Sequence, residues 1–281
     1  MRKCRVLCTL FFAACVLAPV AAQRPAAPPY RILISNDDGV RAPGIAQVAM
    51  ILQAIGDVII VAPADNQSGK GHSITIAEPM FRNDITLPNG LKAIGLSATP
   101  ASTVNVAIRH IVTPRPDLVV SGINRGYNLG YSAYLSGTVG AAREGVMHGV
   151  PAIAASLEED GALENYVHAA EEVLGVARRV KQYGLPANTY LNVNIPKRPA
   201  GGYKGYLITT QALMQGGIES FPDTKHPDGR TIYWNQYTEG VPHPPQGTDI
   251  WAVQNGYVSV TPMKVGETDA SQAERLRGIF K

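Results

Sequence analysis

Tyr30-Arg31-Ile32-Leu33-Ile34-Ser35-Asn36-Asp37-Asp38-Gly39 joins a short apolar strand to a polar turn. A helical pattern follows from about Gly44 to Ile55, and Val58 to Ala62 then forms a second apolar run closed by Pro63. Strand, helix, strand in this order is the grammar of a parallel sheet. Leu118-Val119-Val120, a helix from about Thr138 to Met147 and the buried strand Ala152 to Ala155 repeat it. The expected fold class is α/β, a mostly parallel sheet with helices on both faces. Neighbouring side chains on a strand point to opposite faces, so Asp37 and Asp38 can serve one ion only if the chain bends there, which Asn36 and Gly39 permit. On this stretch alone, an Asp-Gly turn with a helix cap competes evenly with a metal site.

Working outward, Thr99 and Pro100 read as the cap and first residue of a helix that runs to about Val112. Glu164 to Tyr183 has the pattern of a long amphipathic helix, and Leu191 to Ile195 alternates as a half-buried strand does. From about Lys204 the grammar changes to β-rich segments, Tyr206 to Thr210, Thr231 to Tyr237 and Tyr257 to Thr261, separated by Pro and Gly. These are expected to pair antiparallel as an arm. The resulting division is residues 1–22 as an export signal, 23–29 as a Pro-rich linker, 30–203 as the α/β core, and 204–281 as a β-rich extension and oligomerisation arm with a tail.

The export reading rests on Arg2, Lys3 and Arg5 ahead of the apolar run Val6 to Leu17, with small residues at Val20-Ala21-Ala22. Cleavage before Gln23 would leave the protein periplasmic or secreted with no stable membrane anchor. The segment holds three of the 25 basic residues, none of the 22 acidic ones and all three cysteines. Without it the formal charge is zero, so general attraction to duplex nucleic acid or anionic membrane is not expected. Disulfides, thiolate nucleophiles and cysteine-bound zinc are excluded from the remaining chain.

Three loops follow strand-like runs and bring oxygen or amide side chains together with glycine: Asn36-Asp37-Asp38-Gly39, Asn66-Gln67-Ser68-Gly69 and Ser121-Gly122-Ile123-Asn124. Oxygen donors of this kind suit magnesium, manganese or calcium. In a parallel sheet ligands bind beyond the carboxyl ends of the strands, where Asp37, Asp38, Ser68 and Asn124 all fall. Ser136-Gly137-Thr138 precedes a helix, whose free amides suit phosphate, although an ordinary helix cap is the commoner use. Neither a Gly-x-x-x-x-Gly-Lys-Ser/Thr loop nor a Gly-x-Gly-x-x-Gly first turn is present, which argues against ATPase and NAD-dependent chemistry. A glycosidase needs its carboxyls farther apart than adjacent residues in a tight turn. His72 could assist proton transfer near Ser68, though an uninvolved loop histidine is the preferred reading. Tyr233, Trp234, Tyr237 and Trp251 could stack a base, but core or subunit contacts are the commoner use.

Taken in order, these motifs resemble the SurE family of survival proteins, 5′-nucleotidases acting on nucleoside monophosphates. The resemblance runs through Ser35-Asn36-Asp37-Asp38-Gly39-Val40, Ala42-Pro43-Gly44, Asn66-x-Ser68-Gly69, Ser121-Gly122-Ile123-Asn124-x-Gly126-x-Asn128-Leu129-Gly130, Ser136-Gly137-Thr138 with Glu144-Gly145, and Gly247-Thr248-Asp249. It implies a Rossmann-like core with a C-terminal β-rich extension. It also implies one divalent ion per subunit, Mn²⁺ or Mg²⁺, held by Asp37, Asp38, Ser68 and Asn124, with Asp37 and Asp38 catalytic. Asn66, Asn128, Ser136, Gly137 and Thr138 are the candidates for phosphate and substrate.

The implied reaction is in-line attack of water on nucleoside 5′-monophosphates, with 3′-monophosphates as further substrates. An aspartyl-phosphate route ranks second. The implied assembly is a homodimer or homotetramer built by arm exchange. A nucleotide- or phosphate-binding protein without turnover and a broad-specificity acid phosphatase are the alternatives. The chain departs from the family pattern at Ala64-Asp65-Asn66-Gln67, where Asp-Arg-Asn-Arg is usual, and at Tyr131 to Leu135.

Overall fold

A computed structural model describes residues 28–158, 162–215, 217–239 and 241–280. The expected signal and most of the linker lie outside the described residues. Strand β1 (Arg31–Ser35) leads through the Asp37-Asp38 turn to helix α1 (Pro43–Leu52), which begins on Pro43, and then to β2 (Asp57–Pro63). After β3 (Arg82–Thr86) and β4 (Lys92–Leu96) comes α2 (Pro100–Val106), capped by the Thr99 hydroxyl and continued by a π-turn over Ala107–Ile111. Strand β5 (Leu118–Arg125), the short α3 (Ser132–Leu135), α4 (Gly137–Met147), β6 (Ala152–Leu157), α5 (Leu163–Tyr183) and β7 (Thr189–Ile195) complete the alternating part.

The main sheet has the order β3-β4-β2-β1-β5-β6-β7, and β4 through β7 run parallel. The apolar runs explain this: Ile32, Leu33 and Ile34 are fully buried, as strands covered on both faces must be. Helices α1 and α5 cover one face and α2 and α4 the other, each pair packed together over its own apolar cluster. The expected α/β class is the observed one.

The C-terminal part differs from the reading of one antiparallel arm. Strands β8 (Tyr206–Ile208) and β13 (Val258–Lys264) extend the main sheet: β13 pairs antiparallel with β7, and β8 lies parallel beyond it. The apolar side chains Val258, Val260 and Met263 belong to the core, and burying them there outweighs any local hairpin. Only β9 (Gly217–Ser220), β10 (Asp223–Lys225), β11 (Thr231–Tyr233) and β12 (Gln236–Glu239) form the projecting part, as two two-stranded antiparallel ribbons. Helix α6 (Asp249–Gln254) precedes β13, and α7 (Ala270–Ile279) ends the described chain without a buried residue. Among the described residues no helix is long and apolar enough to cross a membrane.

The order of strands locates a binding crevice. From β1 the chain winds outward through β2 to β4, then returns to the other side of β1 as β5 and winds outward again. Adjacent connections at β1 and β5 therefore leave in opposite directions, opening a gap beyond their carboxyl ends.

Candidate active site

The turn after β1 enters that gap. The side-chain amide of Asn36 donates to the Gly39 carbonyl at 2.9 Å, and Gly39 takes φ +101°, which closes the bend and leaves both aspartates at the sheet's carboxyl end. Asp37 is 3 % exposed. Burial drives its carboxyl above the usual carboxylate range, opposed by the Thr138 hydroxyl, which donates to Oδ1, and by the backbone amides of Gly137 and Thr138. These first amides of α4 thus serve Asp37, placing a helix N-terminus on a carboxylate.

Helix α4 reaches Asp37 only because residue 137 has no side chain: a Cβ there would lie 2.7 Å from the Asp37 Cβ and 2.9 Å from its Oδ2. Asp38 is half-buried, and its pKa is pushed up to about 6 by burial and by the neighbouring Asp37 charge. The Arg125 backbone amide donates to its Oδ2 at 3.1 Å, tying the end of β5 to the β1 turn.

Asn124, at the end of β5, donates its amide to the Gly126 carbonyl at 2.8 Å, which leaves its side-chain oxygen as the group available to a cation. The loop after β2 is fastened to the aspartates by Gln67, whose backbone amide donates to the Asp37 carbonyl at 2.7 Å. Asp37, Ser68, Asn124, Asn128 and Ser136 line one cleft of about 380 Å³. Asp38 adjoins Asp37 without lining the cleft, and carboxylates beside neutral oxygens such as those of Ser68 and Asn124 are donors of the kind that suit a hard divalent ion. No group of three or more His, Cys, Asp or Glu side chains arranged for a metal occurs among the described residues, so an ion bound at the aspartates would need neutral oxygens as well, such as those of Ser68 and Asn124.

The phosphate candidates divide. Ser136 lines the cleft while its hydroxyl accepts the Val139 amide at 3.1 Å as the cap of α4. Asn128 also lines it, rigidly held: its side-chain amide donates to Ser156 at 2.7 Å, and its backbone is bracketed by Asn192 and Asn194. Gly137 and Thr138 point their donors at Asp37. Asn66 stays outside the cleft lining, and its Oδ1 accepts the Ser68 amide at 3.0 Å.

The sequence motifs leave out Arg125 and Tyr127, which also line the cleft, and Gln215, Glu219 and Asn235, brought to it by the projecting ribbons. Asn235 donates to the Glu219 carboxylate at 2.8 Å, so they form one wall. No local pattern marks them, because their place depends on where the ribbons fold. His72 is engaged with Glu144, while Trp251 stacks on Tyr257 with centroids 6.2 Å apart, so Trp251 is committed within the protein.

Fold and cleft together define a doubly wound α/β protein with an acidic, amide-lined ligand site at the switch point of its sheet. The profile of the family described as Survival protein SurE matches residues 32–216. A protein named 5′-nucleotidase SurE from Geotalea daltonii is 40 % identical over 249 residues, covering 88 % of this chain and 98 % of that one. The 5′-nucleotidase SurE of Geobacter sulfurreducens is 42 % identical over 246 residues, covering 88 % and 92 %. The crystal structure of the SurE protein from Aquifex aeolicus superposes with a TM-score of 0.77 at 36 % identity, over 89 % of this chain and all of that one. The chain belongs to the Survival protein SurE family.

Proposed function

We propose that the protein is a metal-dependent 5′-nucleotidase that releases phosphate from nucleoside 5′-monophosphates. The observation that carries this reading is a cleft of about 380 Å³ lined by Asp37, Ser68 and Asn124, with Asp38 next to Asp37 in the same turn and not itself in the lining. The naming of the relatives as 5′-nucleotidases supports the same conclusion. A Mn²⁺ or Mg²⁺ ion at these four residues would supply Lewis-acid polarisation of a phosphoryl oxygen and activation of water.

The chain's own residues account for the rest of the site. Thr138 and the first amides of α4 hold Asp37 in one orientation, so its carboxylate needs no reorganisation when charge develops nearby. Asn128 and Ser136, each locked by its own hydrogen bonds, present fixed polar groups to the cleft. Gln215, Glu219 and Asn235 line the same cleft and are the polar groups we assign to contact with the nucleoside.

The purified protein should release phosphate from several nucleotides with Mn²⁺ or Mg²⁺ and stop with chelator. Asp38→Asn should lose nearly all turnover, on the order of 10³-fold or more. Phosphate release that persists after both chelation and this substitution would overturn the metal assignment. Export is part of the proposal, supported by Arg2, Lys3 and Arg5 ahead of Val6 to Leu17. N-terminal sequencing of the secreted or periplasmic protein should begin at Gln23, whereas a cytoplasmic full-length product would refute it.

A further inference from the structure

Glu144 lies on α4, 5 % exposed, away from the aspartates, and its two oxygens meet three donors. His72 Nε2 approaches Oε2 at 2.7 Å, while the Asn105 side-chain amide donates to Oε1 at 2.7 Å and His148 Nε2 meets Oε1 at 3.0 Å. Burial by itself would raise this carboxyl, but the bonds from His72, Asn105 and His148 hold it below the usual range. One ionised, buried carboxylate therefore joins α4, α2 and the loop after β2, and charge-assisted hydrogen bonds of this kind are the strong ones.

The loop it grips is the one that carries Ser68. On the N-terminal side of Ser68 the loop is held by the Gln67 amide on the Asp37 carbonyl. Ser68, Gly69 and Lys70 are exposed and held by local hydrogen bonds, the Ser68 amide donating to Asn66 Oδ1 and the Lys70 amide to the Gln67 carbonyl. On the C-terminal side the chain is caught again: the Gly71 amide donates to the Leu135 carbonyl at 2.9 Å, and His72 closes on Glu144. Backbone lies directly on backbone at this point, since a Cβ on Gly140 of α4 would come within 2.3 Å of the Gly71 carbonyl oxygen. The same helix begins at Ser136 and Thr138, so Glu144 references the Ser68 loop to the element that holds Asp37.

We infer that His72, locked by Glu144, is a positioning residue that sets Ser68 across the cleft from Asp37 and thereby sets the divalent-ion affinity of the site. The inference rests on the reading of Ser68 as a donor to the ion, and the experiment separates the two. Mn²⁺ binding to the purified full chain is measured by titration calorimetry for the parent protein, His72→Ala, His72→Gln, Ser68→Ala and the double variant Ser68→Ala/His72→Ala. Glutamine carries an amide donor the same number of bonds from Cα as His Nε2, so it tests the bond without the ring and serves if the alanine variant does not fold.

A partner bonded directly to a metal donor is typically worth about 10- to 100-fold in affinity; His72 acts on Ser68 through the loop backbone, so His72→Ala should weaken Mn²⁺ at the lower end of that range, by roughly tenfold. His72→Gln should recover most of the loss. In the Ser68→Ala background, His72→Ala should have no further effect, a coupling that a general loss of stability would not produce. Parent-like affinity in His72→Ala beside weakened binding in Ser68→Ala overturns the positioning role, as does an additive loss in the double variant. Parent-like affinity in Ser68→Ala instead removes Ser68 from the donor set and the inference with it.

Discussion

Asp37 and Asp38 adjoin in the chain but differ in environment. Asp37 is enclosed by the start of α4, whereas Asp38 keeps partial contact with solvent and one backbone donor from Arg125. The sign of the pH dependence follows from Asp38. Its folded pKa of about 6 lies above the unfolded value, so between about pH 4 and 6 the native state binds the extra proton. Stability of the metal-free protein therefore falls as pH rises through that window and stays reduced at pH 7. Asp38→Asn should stabilise the metal-free protein at pH 7 by on the order of 2 kcal/mol, with the difference vanishing below about pH 4. Urea titrations at the two pH values check this, and equal effects at both would refute it.

Gly137 supports a second prediction at this scale. An added methyl would collide with Asp37, and forcing extra atoms into a packed site costs about 1–3 kcal/mol. Gly137→Ala should lower the denaturation midpoint and reduce kcat together, because relief of the clash moves either the helix or the carboxylate.

At the scale of elements, α4 serves the site at its first turn and braces it at Glu144. Its N-cap, Ser136, both satisfies the Val139 amide and faces the cleft. Ser136→Ala should cost about 1 kcal/mol by loss of the cap, measured by chemical denaturation, and should raise KM for a nucleotide more than it lowers kcat. Unchanged stability would show that the cap is dispensable. The local signals for such elements were strong where chemistry and neighbours in sequence coincide: Thr99-Pro100 starts a helix with the threonine oxygen accepting the Ser102 amide, as its cap position demands. Strands β3 and β4 leave little local signal because Arg82–Thr86 and Lys92–Leu96 are short and carry little periodicity, and pairing of β4 with β2 and of β3 with β4 is what makes them strands.

At the scale of the molecule, Asp249 connects the core to the covering ribbons. Wholly buried, it accepts the backbone amides of Gly130, Ala212 and Ile250, each at 2.9 Å. Burial raises its carboxyl and these amides oppose the rise. Gly130 ends the Asn128 loop, and Ala212 lies just before Gln215 of the cleft wall, so one carboxylate sets the wall's distance from the aspartates. Asp249→Ala leaves three buried donors unsatisfied and should cost about 3 kcal/mol or more. Hydrogen exchange should quicken in segments 126–131 and 211–215 while the β1 and β5 strands stay protected. Uniform quickening across the sheet would show instead that Asp249 serves the whole fold.

The sequence by itself determined the parallel sheet, the bend at Asp37-Asp38, and the position of Ser68 in the loop after β2 and of Asn124 at the end of β5. These follow from apolar runs, turn residues and alternation, which act over a few neighbours. Tertiary structure alone decided that β13 enters the sheet between β7 and β8, that the α4 amides are spent on Asp37, that the ribbons wall the cleft, and that His72 closes on Glu144. The His72–Glu144 bond spans 72 positions, and such partners are selected by burial and packing of the whole chain, for which no short stretch of residues carries a signal.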